Sequence, residues 1–183
     1  GLPDKFELDN VLNPRDASDS WQDKDNDGLN NVEEYLIGTD LHKADTDGDG
    51  MPDKYELDKG FNPIDAADAN ADVDSDGLSN LGEYQLGADP FNADTDGDGL
   101  NDGDEANVYH THLAKVDTDG DGFSDSEEVI TYSTNPLQTD SDSDGMSDKW
   151  EVVNGLNPLD FADALLDPDG DGWNNLIEYQ KGS

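Results

Sequence analysis

Seven times along the chain, three aspartates stand at alternate positions ahead of a glycine, and a glutamate follows that glycine by six residues. The full pattern is Asp-x-Asp-x-Asp-Gly, an apolar residue, any residue, Asp or Asn, two further residues and Glu. Copies begin at Asp23, Asp45, Asp72, Asp94, Asp117, Asp140 and Asp167. Oxygen donors at this density suit a hard cation. Calcium takes about six to eight oxygen ligands, and a twelve-residue loop supplies them from positions 1, 3, 5, 7, 9 and 12. In the first copy these are Asp23, Asp25, Asp27, the backbone carbonyl of Leu29, Asn31 directly or through water, and a bidentate Glu34. The second and third sets are Asp45, Asp47, Asp49, Met51, Asp53, Glu56 and Asp72, Asp74, Asp76, Leu78, Asn80, Glu83. The fourth and fifth are Asp94, Asp96, Asp98, Leu100, Asp102, Glu105 and Asp117, Asp119, Asp121, Phe123, Asp125, Glu128. The last two are Asp140, Asp142, Asp144, Met146, Asp148, Glu151 and Asp167, Asp169, Asp171, Trp173, Asn175, Glu178. Glycine at position 6, Gly28 in the first copy, permits the sharp turn that folds the carboxylates inward. All-oxygen ligation disfavours zinc and copper, and magnesium retains waters and fits crowded cages badly. The expected cofactor is calcium, with at least seven ions.

The elements that must carry these loops follow from their spacing, which runs 22, 27, 22, 23, 23 and 27 residues. A larger unit of 49 residues results where 27 and 22 alternate. GLPDKFELDN at the N-terminus matches GMPDKYELDK from Gly50 and GMSDKWEVVN from Gly145, so Asp4 and Glu7 read as the second half of an eighth loop. The chain is therefore expected to be a fragment of a longer protein. Each loop runs into a short helical signal closed by a C-cap glycine at Gly38, Gly60, Gly87 or Gly155. Proline at Pro63, Pro90 and Pro158 forbids continuation. The stretches 39–44, 88–93 and 134–139 read as turns. The expected fold has little regular structure: short α-helices only, in a calcium-stabilised tandem repeat of EF-hand-like loops each followed by a short helix, with no sizeable hydrophobic core. Its divisions are a partial repeat and long spacer (1–22), loop pairs (23–71 and 72–116), a single repeat (117–139) and a last loop pair (140–183).

Composition points the same way. Only 32% of the 183 residues are hydrophobic, and 47 acidic residues face 9 basic ones, for a net charge of -38. Burial on that scale cannot offset chain entropy and self-repulsion unless a cation compensates. The charge argues against nucleic acid or anionic lipid as a partner, and no apolar run is long enough for membrane insertion. With no cysteine, cross-linking falls to metal.

Residues outside the loops divide into structural roles. The long spacers repeat Asn-Pro-x-Asp-x-x-Asp, placing Asp16 and Asp19, Asp65 and Asp68, and Asp160 and Asp163. Turn capping is the first expectation for them, and bridging calcium ligation the sharper one. Tyr35, Tyr84 and Tyr179, with the apolar residues at position 7, read as small cores between repeats. His110 and His112 read as exposed loop residues with no third ligand for zinc. No catalytic constellation stands apart from the loops: there is no Gly-x-Ser-x-Gly elbow and no phosphate loop. The chain is not expected to be an enzyme.

The loop resembles that of an EF-hand, but no entering helix precedes most copies. Position 8, apolar in paired hands, is Asn30, Pro52, Ser79, Asn101, Ser124, Ser147 or Asn174. The closer resemblance is to the cysteine-free bacterial thrombospondin type 3 repeats, carried by DTDGDGLNDGDE at 94–105 and covering essentially the whole chain. DTDGDGMPDKYE at 45–56 is also similar to the calcium motif of bacterial binary-toxin binding components, in which neighbouring ions share carboxylates. Dockerins resemble two-loop modules with Asp at position 12, whereas these seven loops end in Glu. The thrombospondin resemblance implies an extracellular, secreted or cell-surface segment that calcium stiffens between neighbouring domains of the same chain. Its competitor is an adhesion or docking module that binds surface protein or carbohydrate.

A magnitude separates structural from incidental ions. Carboxylates about 5 Å apart in water repel by about 0.8 kcal/mol per pair. A dissociation constant of about 0.1 mM at about 2 mM free calcium stabilises the folded form by about 1.8 kcal/mol per site. Seven such sites approach the stability of a whole domain, about 5–15 kcal/mol. Chelation is therefore expected to expand the chain and remove its helical circular dichroism. An unchanged hydrodynamic radius after chelation contradicts this.

Overall fold

The computed structural model describes residues 1–182. Among them every regular element is a short helix, and none is long and apolar enough to cross a membrane. The α-helices are α1 (Asp4–Asp9), α2 (Asn31–Ile37), α3 (Asp53–Lys59), α4 (Asn80–Leu86), α5 (Asp102–Asp104), α6 (Asp148–Val153) and α7 (Asn175–Lys181). Single 3-10 turns at Asp19–Trp21, Asp68–Asn70 and Asp163–Leu165 lie in the three long spacers. The chain forms two compact units, one of residues 1–73 and 79–85 and the other of residues 74–78 and 86–183. The loop that begins at Asp72 thus gives its ends to one unit and its middle to the other.

Each helix begins where its loop ends because position 8 is the N-cap. Asn30 accepts from the N–H groups of Val32 and Glu33, and Glu33 completes a capping box. Asn101 and Asn174 accept from Asp104 and Ile177. Ser79 and Ser124 accept from Gly82 and Glu127. An apolar residue at these five positions would leave the donors unpaired, which accounts for their polar character; Pro52 and Ser147 begin α3 and α6 without a side-chain cap.

The helices end in three ways. α1 and α6 close at Asn10 and Asn154, at φ of -103° and -93°, so that Gly155, expected as a C-cap, stands one residue beyond Asn154. Gly38 and Gly60 close α2 and α3 in the left-handed conformation, at φ of 98° and 84°. The repeats that are 23 rather than 22 residues long take up their extra residue by winding wider, as π-helix at Glu105–Tyr109 and Glu127–Tyr132. Their left-handed terminal residues are His110 and Ser133, at φ of 62° and 60°. The π-helices were not anticipated from composition, although the one-residue difference in spacing is their signature.

Apolar burial is distributed rather than pooled. Leu29, Met51, Leu100, Phe123 and Met146, all at position 7, are buried, as are Leu41 and Leu113. Aromatic pairs join successive helices across every long spacer: Phe6 with Tyr35 at 4.7 Å between ring centroids, Tyr55 with Tyr84 at 4.4 Å, and Trp150 with Tyr179 at 5.2 Å. Position 11 of one repeat thus meets position 13 of the next. Each pair contributes about 0.5–1.5 kcal/mol beyond its buried area.

One glycine is fixed by proximity rather than by backbone freedom. A Cβ on Gly103 would lie 2.3 Å from the carbonyl oxygen of Asp76. Glycine to alanine in an open helix stabilises by about 1 kcal/mol. Gly103→Ala is instead expected to destabilise the calcium-loaded protein by about 1–3 kcal/mol, as overpacking does. A raised thermal midpoint contradicts the contact.

Candidate metal sites

Every loop is shaped by hydrogen bonds from its own backbone to its own carboxylates. The aspartate at position 1 accepts from the N–H groups of positions 4 and 6: Asp94 Oδ1 from Gly97 at 2.8 Å and Asp94 Oδ2 from Gly99 at 3.2 Å. Asp117 repeats this with Gly120 and Gly122 at 2.7 and 3.0 Å. The aspartate at position 5 accepts from the N–H of position 7 throughout, for example Met51 to Asp49 at 2.7 Å and Trp173 to Asp171 at 2.8 Å. Position 4 has positive φ in every loop, with Gly48, Gly97, Gly120 and Gly170 in four and Asn26, Ser75 and Ser143 in the others. Those small or turn-forming residues were a visible signal for the left-handed bend.

These bonds gather the acids. The carboxylate oxygens of Asp23, Asp25 and Asp27 lie within 4.8 Å of one another, as do those of Asp45, Asp47 and Asp49 and of Asp94, Asp96 and Asp98. At position 12, Glu34, Glu56, Glu105, Glu128 and Glu151 are wholly buried. Both carboxylate oxygens of Glu34, Glu56 and Glu151 lack a hydrogen-bond partner within the protein, as do Asp25 Oδ2, Asp47 Oδ2, Asp96 Oδ2, Asp119 Oδ2 and Asp142 Oδ2 at position 3. Buried acceptors converging without donors fit a hard divalent cation and little else. In the loop from Asp72, Asp74, Asp76 and Leu78 lie in one unit, with Leu78 N donating to Asp76 at 2.7 Å, and Asp72, Asn80 and Glu83 lie in the other. The loop from Asp167 differs: Asp167, Asp169 and Asp171 are exposed, Glu178 is half-buried, and Trp173 is 40% exposed.

Position 9 follows the spacer. After a short spacer it is Asp53, Asp102, Asp125 or Asp148, and both its oxygens are held by position 2. Thr46 N and Oγ1 each donate to Asp53 at 2.7 Å, Thr95 does the same for Asp102, Thr118 for Asp125, and Ser141 for Asp148. Asp53 also lies near enough to the preceding loop to raise the pKa of Asp27 and Glu34, after burial and the loop's own Asp25. After a long spacer position 9 is Asn31, Asn80 or Asn175, whose amide donates to the backbone carbonyl of Asp19, Asp68 or Asp163 at 2.7–2.8 Å.

The spacer aspartates combine the two roles weighed for them. Asp16, Asp65 and Asp160 accept from N–H groups two residues on, as turn caps. Asp19, Asp68 and Asp163 cap with Oδ2, taking Asn13 N at 2.7 Å, Asn62 N at 2.8 Å and Asn157 N at 3.0 Å. Their Oδ1 atoms are buried without a hydrogen-bond partner, and Asp68 closes a cluster with Asp49 and Glu56. His110 and His112 are exposed.

Burial, reinforced by neighbouring aspartates, pushes Glu34, Glu56, Glu128 and Glu151 up to about 8. Glu105, partly relieved by the Thr111 hydroxyl, reaches about 7. A carboxyl whose folded pKa lies above its ordinary 4.5 holds a proton that the unfolded chain has already released. The ion-free fold therefore loses stability as pH rises from about 4.5 to 8, and a divalent ion at these groups displaces their protons.

The family described as bacterial TSP3 repeat matches residues 23–40, 45–66, 94–111, 117–139 and 140–160. No curated protein and no solved structure matches the chain.

Calcium binding at pH 7 is expected to release protons, and its affinity to fall as pH is lowered from 8 towards 5. Calorimetry in buffers of different ionisation enthalpy reads the release directly. Identical heats in all buffers contradict the raised glutamate pKa values.

Proposed function

Because the chain belongs to the bacterial TSP3 repeat family, a structural calcium-binding repeat, we propose that it is a calcium-stiffened spacer or stalk segment of a secreted or surface bacterial protein. The observation that carries this reading is the buried glutamate at position 12 of the loops from Asp23, Asp45 and Asp140: both carboxylate oxygens of Glu34, Glu56 and Glu151 lie beside the loop's own aspartates and find no donor in the protein. In each loop the three aspartates, the position 7 carbonyl and the glutamate hold the ion. When bound, calcium supplies the positive charge that the side chains lack and ties the two halves of the loop together. At least seven ions are involved. Asp19, Asp68 and Asp163, each with a buried and unpaired oxygen, add donors beside the glutamates and suit a higher count. Position 9 acts from beside the ligand set, through its bonds to position 2 or to the spacer. Since each cluster lies between one helix and the next stretch of chain, ions here lock successive repeats and hold neighbouring domains at a set distance.

One observation favours a second reading, a docking module for carbohydrate. In the unit of residues 74–78 and 86–183, a hollow is lined by Trp150, Leu156 and Pro168 with Asn154, Asn175, Asp169 and Glu178. An indole beside amides and carboxylates suits a sugar ring, whose face is apolar and whose edge carries hydroxyls.

Because the chain has no cysteine, cysteines placed at exposed Ala17 and Gln180 accept spin labels without competition. A spacer is expected to give a narrow inter-label distance distribution in calcium and a broad one after chelation. A broad distribution in saturating calcium defeats the spacer. Micromolar glycan binding that is lost in Trp150→Ala establishes the second reading.

A further inference from the structure

The carboxylates that ring each loop belong to it, but one of the bonds orienting them comes from the loop that follows. The position 5 aspartate gives Oδ1 to the N–H of its own position 7. In three loops its Oδ2 accepts from the backbone N–H of position 10 in the next loop: Gly103 to Asp76 at 2.7 Å, Ser126 to Asp98 at 2.8 Å and Lys149 to Asp121 at 3.0 Å; Oδ2 of Asp27, Asp49 and Asp144 has no such partner. Ser126 adds a second bond, from its hydroxyl to the backbone carbonyl of Asp98 at 2.6 Å. Asp98 is thereby held by side chain and main chain at once.

Position 10 also covers the glycine of the preceding loop. A Cβ on Gly99 would lie 3.5 Å from Ser126 Oγ, one on Gly122 2.9 Å from Lys149 Cδ, and one on Gly50 3.1 Å from Leu81 Cδ1. Gly77, whose position 10 neighbour is Gly103 and carries no side chain, and Gly172, in the loop from Asp167, would meet nothing within 4 Å. That loop is the one whose aspartates are all exposed. At Gly28, Gly50, Gly99, Gly122 and Gly145 the position 6 glycine thus serves the approach of the next repeat as well as the turn of its own.

We propose that residue 10 of the loops from Asp94, Asp117 and Asp140 is a positioning residue for the position 5 aspartate of the calcium loop before it, with Ser126 setting the orientation of Asp98. This rests on the calcium reading of the loops. A backbone N–H fixed on one carboxylate oxygen holds the plane of the group, so that its remaining lone pairs face the ion without further loss of freedom. Partners of metal ligands alter affinity by about 10–100-fold when removed. Neighbouring sites are consequently coupled, and the coupling between two ions is reciprocal.

The test is a calcium titration of the whole chain by NMR, following the amides of Gly97 and Gly99 for loop 94–105 and of Gly120 and Gly122 for loop 117–128. Ser126→Pro deletes the N–H while leaving every ligand of loop 117–128 in place, and the native φ of -69° suits proline. It is expected to weaken loop 94–105 about tenfold and loop 117–128 less than about threefold. Ser126→Ala keeps the N–H and removes the hydroxyl bond, with about threefold weakening confined to loop 94–105. Equal weakening of both loops, or a greater loss in loop 117–128, overturns the proposal. If the proline variant fails to fold in calcium, the alanine variant decides by the same comparison. A wild-type chain whose loop 94–105 amides ignore calcium defeats the calcium reading itself, an outcome distinct from loss of preference in the variants.

Discussion

Mutual repulsion among carboxylates is the constraint from which the rest of this structure follows. A loop that brings three aspartates within 4.8 Å and buries a glutamate against them places like charges where water screens them poorly. The raised pKa values of Glu34, Glu56, Glu128 and Glu151 register the burial first and that repulsion second. The ion pairs of Lys5, Lys43 and Lys54 lie at exposed aspartates away from the glutamates. A divalent cation is the relief that the donor set fits, and the family assignment agrees with it.

Given that constraint, the local architecture preorganises the acids. Backbone N–H groups at positions 4, 6 and 7 hold one face of each outer carboxylate, which leaves the inner face for the ion. Position 8 caps the helix that carries the glutamate, so the second half of the ligand set is fixed by helix geometry. The apolar residues have a secondary part. Position 7 side chains are buried in the loops from Asp23, Asp45, Asp94, Asp117 and Asp140, and aromatic pairs hold successive helices where the spacer is long.

The two spacer lengths solve one problem in two ways. A long spacer returns an aspartate, Asp19, Asp68 or Asp163, toward the preceding glutamate, and the asparagine at position 9 of the next loop secures that spacer by its backbone carbonyl. A short spacer has no such aspartate, and position 9 is itself an aspartate braced by threonine or serine at position 2. The identities at positions 2 and 9 therefore vary together with spacer length, because one buried carboxylate and one brace are needed in either arrangement.

Much was legible without coordinates because a loop of twelve residues is a local object. The recurrence of Asp at positions 1, 3 and 5, Gly at 6 and Glu at 12 specified the chemistry, the short helices and the scarcity of apolar burial, since each depends on residues within one turn of one another. Contacts between repeats were not legible. Phe6, Tyr55 and Trp150 carried no mark of their partners, Asp68 read as a turn cap or a bridging ligand, and nothing about Ser126 pointed to Asp98. Those pairings depend on how far the chain travels between loops, and a difference of one residue, absorbed as a π-helix, is enough to reset which side chain meets which loop. Sequence alone determined what each loop binds with; tertiary structure decided which neighbour closes it, because closure is a contact between segments more than twenty residues apart whose register only the folded path establishes.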